Sequence, residues 1–62
     1  MNITLNGKTR EVQDQASLQT LVENPGGIAI ALNGEVVRAA DWASTVLNDD
    51  DAVEIVTARQ GG

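Results

Sequence analysis

Two Asn-Gly dipeptides, Asn6-Gly7 and Asn33-Gly34, constrain the fold of this 62-residue chain more than any other feature of its sequence. Both residue types tolerate the positive φ that a two-residue hairpin turn requires, so each dipeptide predicts a tight reversal between two strands. Before the first dipeptide, Ile3 and Leu5 alternate with polar residues, and residues 9–12 supply the return strand. A two-residue turn places charged residues opposite these two apolar ones, and a longer loop would avoid that pairing.

The second dipeptide follows a run in which large and small apolar residues alternate. Residues 28–32 read Ile-Ala-Ile-Ala-Leu, which predicts a strand with one large face and one small face. Residues 35–37 are the return strand of this second hairpin. We expect the large face to pack against a helix.

The segment between the hairpins predicts that helix. Ser17 can cap its start, and Leu18, Leu21 and Val22 recur at helical spacing. Pro25 disfavours a helical conformation in the residue before it, so the helix ends near position 24. We therefore predict about two helical turns across one face of the sheet.

The last third of the chain predicts a short turn and a final strand. Trp42, the only aromatic residue, lies in a segment suited to a single helical turn that seats the indole in the core. Stacking of this indole on a ligand is the alternative. Residues 52–58 form the last strand, with Val53, Ile55 and Thr57 on one face. The element order predicts an α+β protein in which one helix crosses a mixed sheet.

Charge and composition argue against several function classes. The net charge is −5 and the four basic residues are scattered, so a nucleic-acid partner is not expected. The chain has no cysteine or histidine, which removes disulfides, thiolate nucleophiles and the usual general base. These absences argue against an independent enzyme but leave a carboxylate-based one open. Three consecutive acidic residues, 49–51, could ligate a hard cation, or they could form a solvated turn.

The chain carries no segment that predicts a membrane span or a leader. Its longest apolar run, residues 28–32, is far shorter than the roughly 20 residues that a span needs. Met1 leads directly into a strand-like segment. We expect a cytoplasmic protein with no membrane association.

Several short segments carry a resemblance to a known family. They are residues 3–8 (Ile-Thr-Leu-Asn-Gly-Lys), 31–37 (Ala-Leu-Asn-Gly-Glu-Val-Val), 41–42 (Asp-Trp), 53–58 (Val-Glu-Ile-Val-Thr-Ala) and 60–62 (Gln-Gly-Gly). Together they resemble the ThiS sulfur carriers of thiamin biosynthesis. Two positions depart from that pattern: proline is common in the family where Arg38 stands, and glycine is common where Asp50 stands.

The resemblance implies a fold and a chemistry. The fold is the ubiquitin-like β-grasp, with about five strands and one helix in residues 1–58, followed by a flexible tail at residues 59–62. The carboxylate of Gly62 is adenylated with ATP by a ThiF-like, E1-related enzyme and becomes a thiocarboxylate with sulfur from a persulfide donor. Thiazole synthase receives that sulfur. Arg59, Gln60 and Gly61 form the tail that enters the partner's channel. The resemblance thus implies a protein co-substrate, monomeric alone, that binds no cofactor or metal itself and whose partner consumes ATP.

The residues themselves agree with this chemistry. A chain without cysteine cannot hold a persulfide, and its terminal carboxylate is the evident place for sulfur. If Val53 and Ile55 face the core, Val56 and Ala58 face outward, and with Ala29 and Ala31 they form a candidate partner-binding patch. The alternatives left open are a MoaD-like or other sulfur carrier, a ubiquitin-like protein modifier, and a binding module with an incidental Gly-Gly end.

Overall fold

Residues 1–23 and 26–57 are described by the computed structural model, and within them the chain forms one mixed sheet and two short 3₁₀ helices. The strands are β1 (Asn2–Leu5), β2 (Lys8–Glu11), β3 (Ile28–Leu32), β4 (Glu35–Val37) and β5 (Ala52–Thr57). Their order across the sheet is β2-β1-β5-β3-β4. β1 and β5 are parallel, and the other neighbouring pairs are antiparallel. The strand that is last in sequence therefore lies at the centre.

Both Asn-Gly dipeptides form the predicted two-residue turns. Asn6 and Asn33 each have a φ of 52°, and the glycines that follow have φ of 83° and 86°. In the first hairpin, Leu5 pairs with Lys8 and Ile3 pairs with Arg10. The pairing of apolar with charged residues is therefore real. It is tolerated because β2 is an edge strand whose residues are all exposed, so the charged groups reach water.

The predicted two-turn helix is wrong in length, because the segment forms only one 3₁₀ turn, Leu18–Leu21. Ser17 makes no side-chain cap, and Val22 is already extended with a φ of −130°. The backbone of this segment is instead bonded to the segment at 45–47: Leu18 N donates to Thr45 O at 3.0 Å, and Leu47 N donates to Ala16 O at 2.8 Å. Pairing in tertiary structure thus satisfies groups that a longer helix would have satisfied internally. The predicted helix end near position 24 lies outside the described residues.

The core lies between the large face of the sheet and the two 3₁₀ helices. It consists of six apolar side chains that are each at most 2% exposed: Ile3, Leu18, Ile30, Trp42, Leu47 and Val53. Among the described residues, no polar or charged side chain is buried. The placement of Ile30 confirms that the large face of β3 points inward.

Trp42 belongs to this core, as predicted. It lies on the second 3₁₀ helix, Ala39–Ser44, and is 1% exposed. Its indole Nε1 donates a hydrogen bond of 2.8 Å to the carbonyl oxygen of Val37, which satisfies the one polar atom of the ring. The indole is therefore structural and is not available for stacking on a ligand.

The two positions that depart from the family pattern keep the backbone that the usual residues would adopt. Arg38 has φ −68° and ψ 146°, which matches the φ that a proline ring imposes. Asp50 has a φ of 71°, in the left-handed region that favours glycine. In the described part of the chain, neither helix has the length and apolar character needed to cross a membrane.

Candidate functional site

The face of the sheet that points away from the core holds the predicted partner-binding patch. Ala29 lies opposite Val56 across β3 and β5, and Ala31 lies opposite Glu54. Paired residues in a sheet share a face, and this one is opposite to the face of buried Ile30. Val56 is 60% exposed. The structure thus brings together three of the four predicted patch residues, while Ala58 lies outside the described residues.

Val36 extends the patch, and sequence reasoning missed it. The register of the second hairpin places Val36 directly opposite Ala31, on the same outward face. It is 73% exposed, more than Val46 or Val56, the other exposed large apolar residues in the described part of the chain. The signal was present in the sequence, because a two-residue turn at Asn33-Gly34 pairs the residue two positions after the turn with Ala31. We call Ala29, Ala31, Val36 and Val56 the outward patch.

Glu54 sets the charge of this surface. It is exposed and lies in β5 between Ala52 and Val56, opposite Ala31 of the outward patch. A partner that covers the patch must either leave this carboxylate in water or pair it with a cation, because burying it alone is costly. The surface therefore fits a partner that is apolar where it covers the patch and that either carries a basic group beside Glu54 or leaves this carboxylate in water.

The two turn asparagines hold the last strand from opposite sides. Asn6 Oδ1 accepts a hydrogen bond from Ile55 N at 2.8 Å, and its Nδ2 donates to Ile55 O at 3.3 Å. Asn33 Oδ1 accepts from Ala52 N at 2.9 Å. Sequence reasoning assigned these residues only to turns. Glycine would suit the same φ but has no side chain, whereas the amide of asparagine offers a donor and an acceptor on separate atoms.

In the turn of three aspartates, the carboxylates of Asp49 and Asp51 accept hydrogen bonds from other parts of the fold. Asp49 Oδ1 accepts from Asn2 N at 3.0 Å, and Asp51 accepts from Asn33 Nδ2 at 3.0 Å and from Asn48 N at 2.7 Å. Within the part of the chain that the structure describes, no group of three or more potential metal ligands comes together. Two of the three carboxylates, those of Asp49 and Asp51, are thus engaged in hydrogen bonds that join this turn to the rest of the fold.

The predicted sulfur attachment residue and the tail lie outside the described residues. These are Gly62, and the tail residues Arg59, Gln60 and Gly61. The last described residue before them is Thr57, at the end of β5, where it pairs with Ile28. The structure thus defines the element from which the tail continues, and the roles of the tail residues stay predictions.

Comparison with protein families gives a match over almost the whole chain. The model of the ThiS family matches residues 3–62, including the Gly-Gly end. A curated relative, the uncharacterized protein ycf40 of Porphyra purpurea, is 35% identical over 66 residues. That alignment covers 100% of this chain and 93% of the relative.

Two solved structures are similar to this chain. A crystal structure of the thiamine biosynthesis protein ThiS from Geobacter metallireducens is 32% identical, with a TM-score of 0.84 and complete coverage of both chains. A solution structure of a thiamine biosynthesis protein from the same organism is also 32% identical, with a TM-score of 0.77, and covers 100% of this chain and 88% of that one. These likenesses confirm the predicted α+β class and the ubiquitin-like β-grasp fold.

Proposed function

This chain belongs to the ThiS family and is a sulfur carrier of thiamin biosynthesis, and we propose that Gly62 carries the sulfur as a thiocarboxylate on its α-carboxyl group. The observation that supports this proposal is that the family match continues through residue 62 and includes both terminal glycines. In this proposal a ThiF-like enzyme adenylates the carboxylate with ATP, a persulfide donor supplies sulfur, and thiazole synthase receives it. The chain is a protein co-substrate in this sequence of reactions and does not catalyse them.

The chemistry requires activation of the carboxylate. A carboxylate is a poor acyl electrophile, so one of its oxygens first bonds to the α-phosphate of ATP and pyrophosphate leaves. The acyl adenylate then has a good leaving group, and the terminal sulfur of the persulfide attacks the acyl carbon as AMP departs. A thiol reductant then cleaves the S–S bond of the acyl disulfide, which leaves the thiocarboxylate and forms a new disulfide on the donor side. Glycine suits this position, because it leaves the acyl carbon unshielded and adopts conformations that a narrow channel demands.

Docking in this proposal depends on the folded domain. Ordering a backbone costs about 1–2 kcal/mol per residue, so a tail ending in two glycines supplies little net affinity by itself. In the outward patch, Val36 is 73% exposed and Val56 is 60% exposed. Val56 lies on β5, the strand that the tail follows. We propose this patch as the surface that the adenylating enzyme covers.

The test of the attachment site changes the position of the carboxylate by one residue. We expect that deleting Gly62, or adding one residue after it, abolishes thiocarboxylate formation and leaves the fold intact. A misplacement of about 1 Å of a reacting atom can lose on the order of a hundredfold in rate. The carrier is incubated with ATP, the ThiF-like enzyme, a persulfide source and a thiol reductant, and intact mass reports replacement of one oxygen by sulfur. Circular dichroism controls for folding, and sulfur uptake at the wild-type rate by either variant would refute the proposed site.

The test of the docking surface uses two exposed valines. We expect Val56→Asp to raise KM for the adenylating enzyme by about tenfold or more, because burying a valine is worth roughly 1.5–3 kcal/mol. Val46→Asp is the matched control, since Val46 is 49% exposed but pairs with Ser17, away from the sheet. Equal effects of the two changes, with both variants folded, would place the docking surface elsewhere.

A further inference from the structure

The side chain of Asn6 extends the pairing between β1 and β5 beyond the end of β1. The parallel pairing joins Thr4 to Ala52 and Leu5 to Val53, and β1 ends there. The backbone N–H of Asn6 then donates to Val53 O at 2.9 Å. Its side-chain amide bonds to both backbone groups of Ile55: Oδ1 accepts from the N–H at 2.8 Å, and Nδ2 donates to the carbonyl oxygen at 3.3 Å. One turn residue thus makes three hydrogen bonds to the last strand.

These bonds act near the C-terminal end of β5, two residues before the strand ends at Thr57. On its other side, β5 pairs with β3 as far as Thr57. On the β1 side, the described contacts of the sheet reach Ile55 only through the Asn6 amide. Without that amide, the last residues of β5 would be held from one side alone, and the end of the strand could twist or fray about its pairing with β3.

We propose that Asn6 is a positioning residue for sulfur transfer, whose amide fixes the direction in which β5 leaves the sheet and presents the tail to the adenylating enzyme. This inference rests on the proposed function of Gly62. Its physical basis is preorganisation: a strand end that is already fixed loses less conformational freedom when the partner binds. Loss of the amide therefore weakens productive binding, while the chemistry after binding is unchanged.

Asn33 supplies a matched control within the same chain. It occupies the same position of the same turn, with the same φ of 52°. Its side chain also makes two hydrogen bonds, to Ala52 N at 2.9 Å and to Asp51 Oδ1 at 3.0 Å. These bonds hold the start of β5, at the far end of the strand from the tail. Glycine at either position keeps the positive φ and removes only the amide.

The experiment compares Asn6→Gly with Asn33→Gly in the adenylation assay with the ThiF-like enzyme and ATP. We expect Asn6→Gly to raise KM for the carrier on the order of fivefold to tenfold, the effect of losing one or two modest hydrogen bonds, with kcat within about twofold of wild type. Asn33→Gly leaves KM unchanged. Both variants have similar thermal unfolding midpoints, because each loses two side-chain bonds at an exposed turn. Amide exchange at Ile55 accelerates only in Asn6→Gly.

Each other outcome overturns a defined part of the argument. Equal rises of KM in the two variants show a general structural effect and refute the positioning role. Faster exchange at Ile55 with wild-type KM shows that the bonds exist and that the enzyme does not depend on them. Failure of the wild-type chain itself to be adenylated at Gly62 refutes the proposed function, and the role of Asn6 falls with it.

Discussion

Replacement of Trp42 by alanine is the most demanding test of the core. The indole is 1% exposed and lies among the buried side chains that join the sheet to the 3₁₀ helices. Truncating a buried tryptophan typically costs about 3–5 kcal/mol. At about 0.05–0.15 kcal/mol per residue, a chain of 62 residues has a total stability of roughly 3–9 kcal/mol. We therefore expect Trp42→Ala to lose about a third of its stability or more.

Two further variants separate the contributions to that loss. Trp42→Phe keeps much of the apolar volume and removes the Nε1 hydrogen bond to Val37, so we expect a smaller cost, about 1–3 kcal/mol. Val36→Ala is the exposed control, and its change should stay within about 0.5 kcal/mol.

Urea unfolding followed by circular dichroism is the appropriate assay. Trp42 is the only tryptophan, and the two Trp42 variants therefore lack the usual fluorescence signal. We expect the urea midpoint to be highest for Val36→Ala, lower for Trp42→Phe and lowest for Trp42→Ala. A wild-type midpoint for Trp42→Ala would show that the indole does not support the core as the structure indicates.

The remaining predictions concern the two positions where this chain departs from its family. Asp50→Gly should raise stability by about 0.5–1 kcal/mol, because relief of the left-handed strain at φ 71° outweighs the greater chain entropy of glycine. Asp50→Ala should lower stability, and a urea midpoint for it at or above that of Asp50→Gly would contradict the strain argument. Arg38→Pro should raise stability by about 0.4–1 kcal/mol, because φ is already −68° and the unfolded chain loses freedom. A lower urea midpoint for this variant would mean that the ring or the missing N–H disturbs the loop.

The hairpins were predictable because their determinants are local. An Asn-Gly turn fixes its own length, the length fixes the register, and the register decides which residues share a face. The alternation of large and small residues at 28–32 agreed with that register, most clearly at Ala29, which is exposed, and Ile30, which is buried. This is why the burial of Ile30 and the exposure of Ala29 follow from the sequence alone.

The length of the helix was not predictable in the same way, because the segment that bonds to its backbone, residues 45–47, is distant in sequence. Leu18 and Leu21 have helical spacing, and the same residues also satisfy a single 3₁₀ turn. The bridge between Ser17 and Val46 decides between the two, since it ties the backbone before the turn to another segment. Periodicity carries no information about such a partner.

The site was predictable in part for related reasons. Val56 and Ala29 follow from alternation along their own strands, and their exposure does not require knowledge of strand order. Their direct pairing across β3 and β5 does require it. The amide bonds of Asn6 to Ile55 join residues 49 positions apart, so no local pattern signals them.

The position of β5 connects the fold to the proposed chemistry. As the central strand, it pairs with β1 on one side and β3 on the other, and it contributes Val53 to the core. Its pairing with β3 continues to Thr57, and on the β1 side the Asn6 amide extends its bonds to Ile55. In the proposed chemistry, the carboxyl group that carries sulfur lies five residues after the end of this strand. A carrier that must place one carbon atom inside a partner's site gains from a fixed strand, because the folded domain then determines where the tail begins.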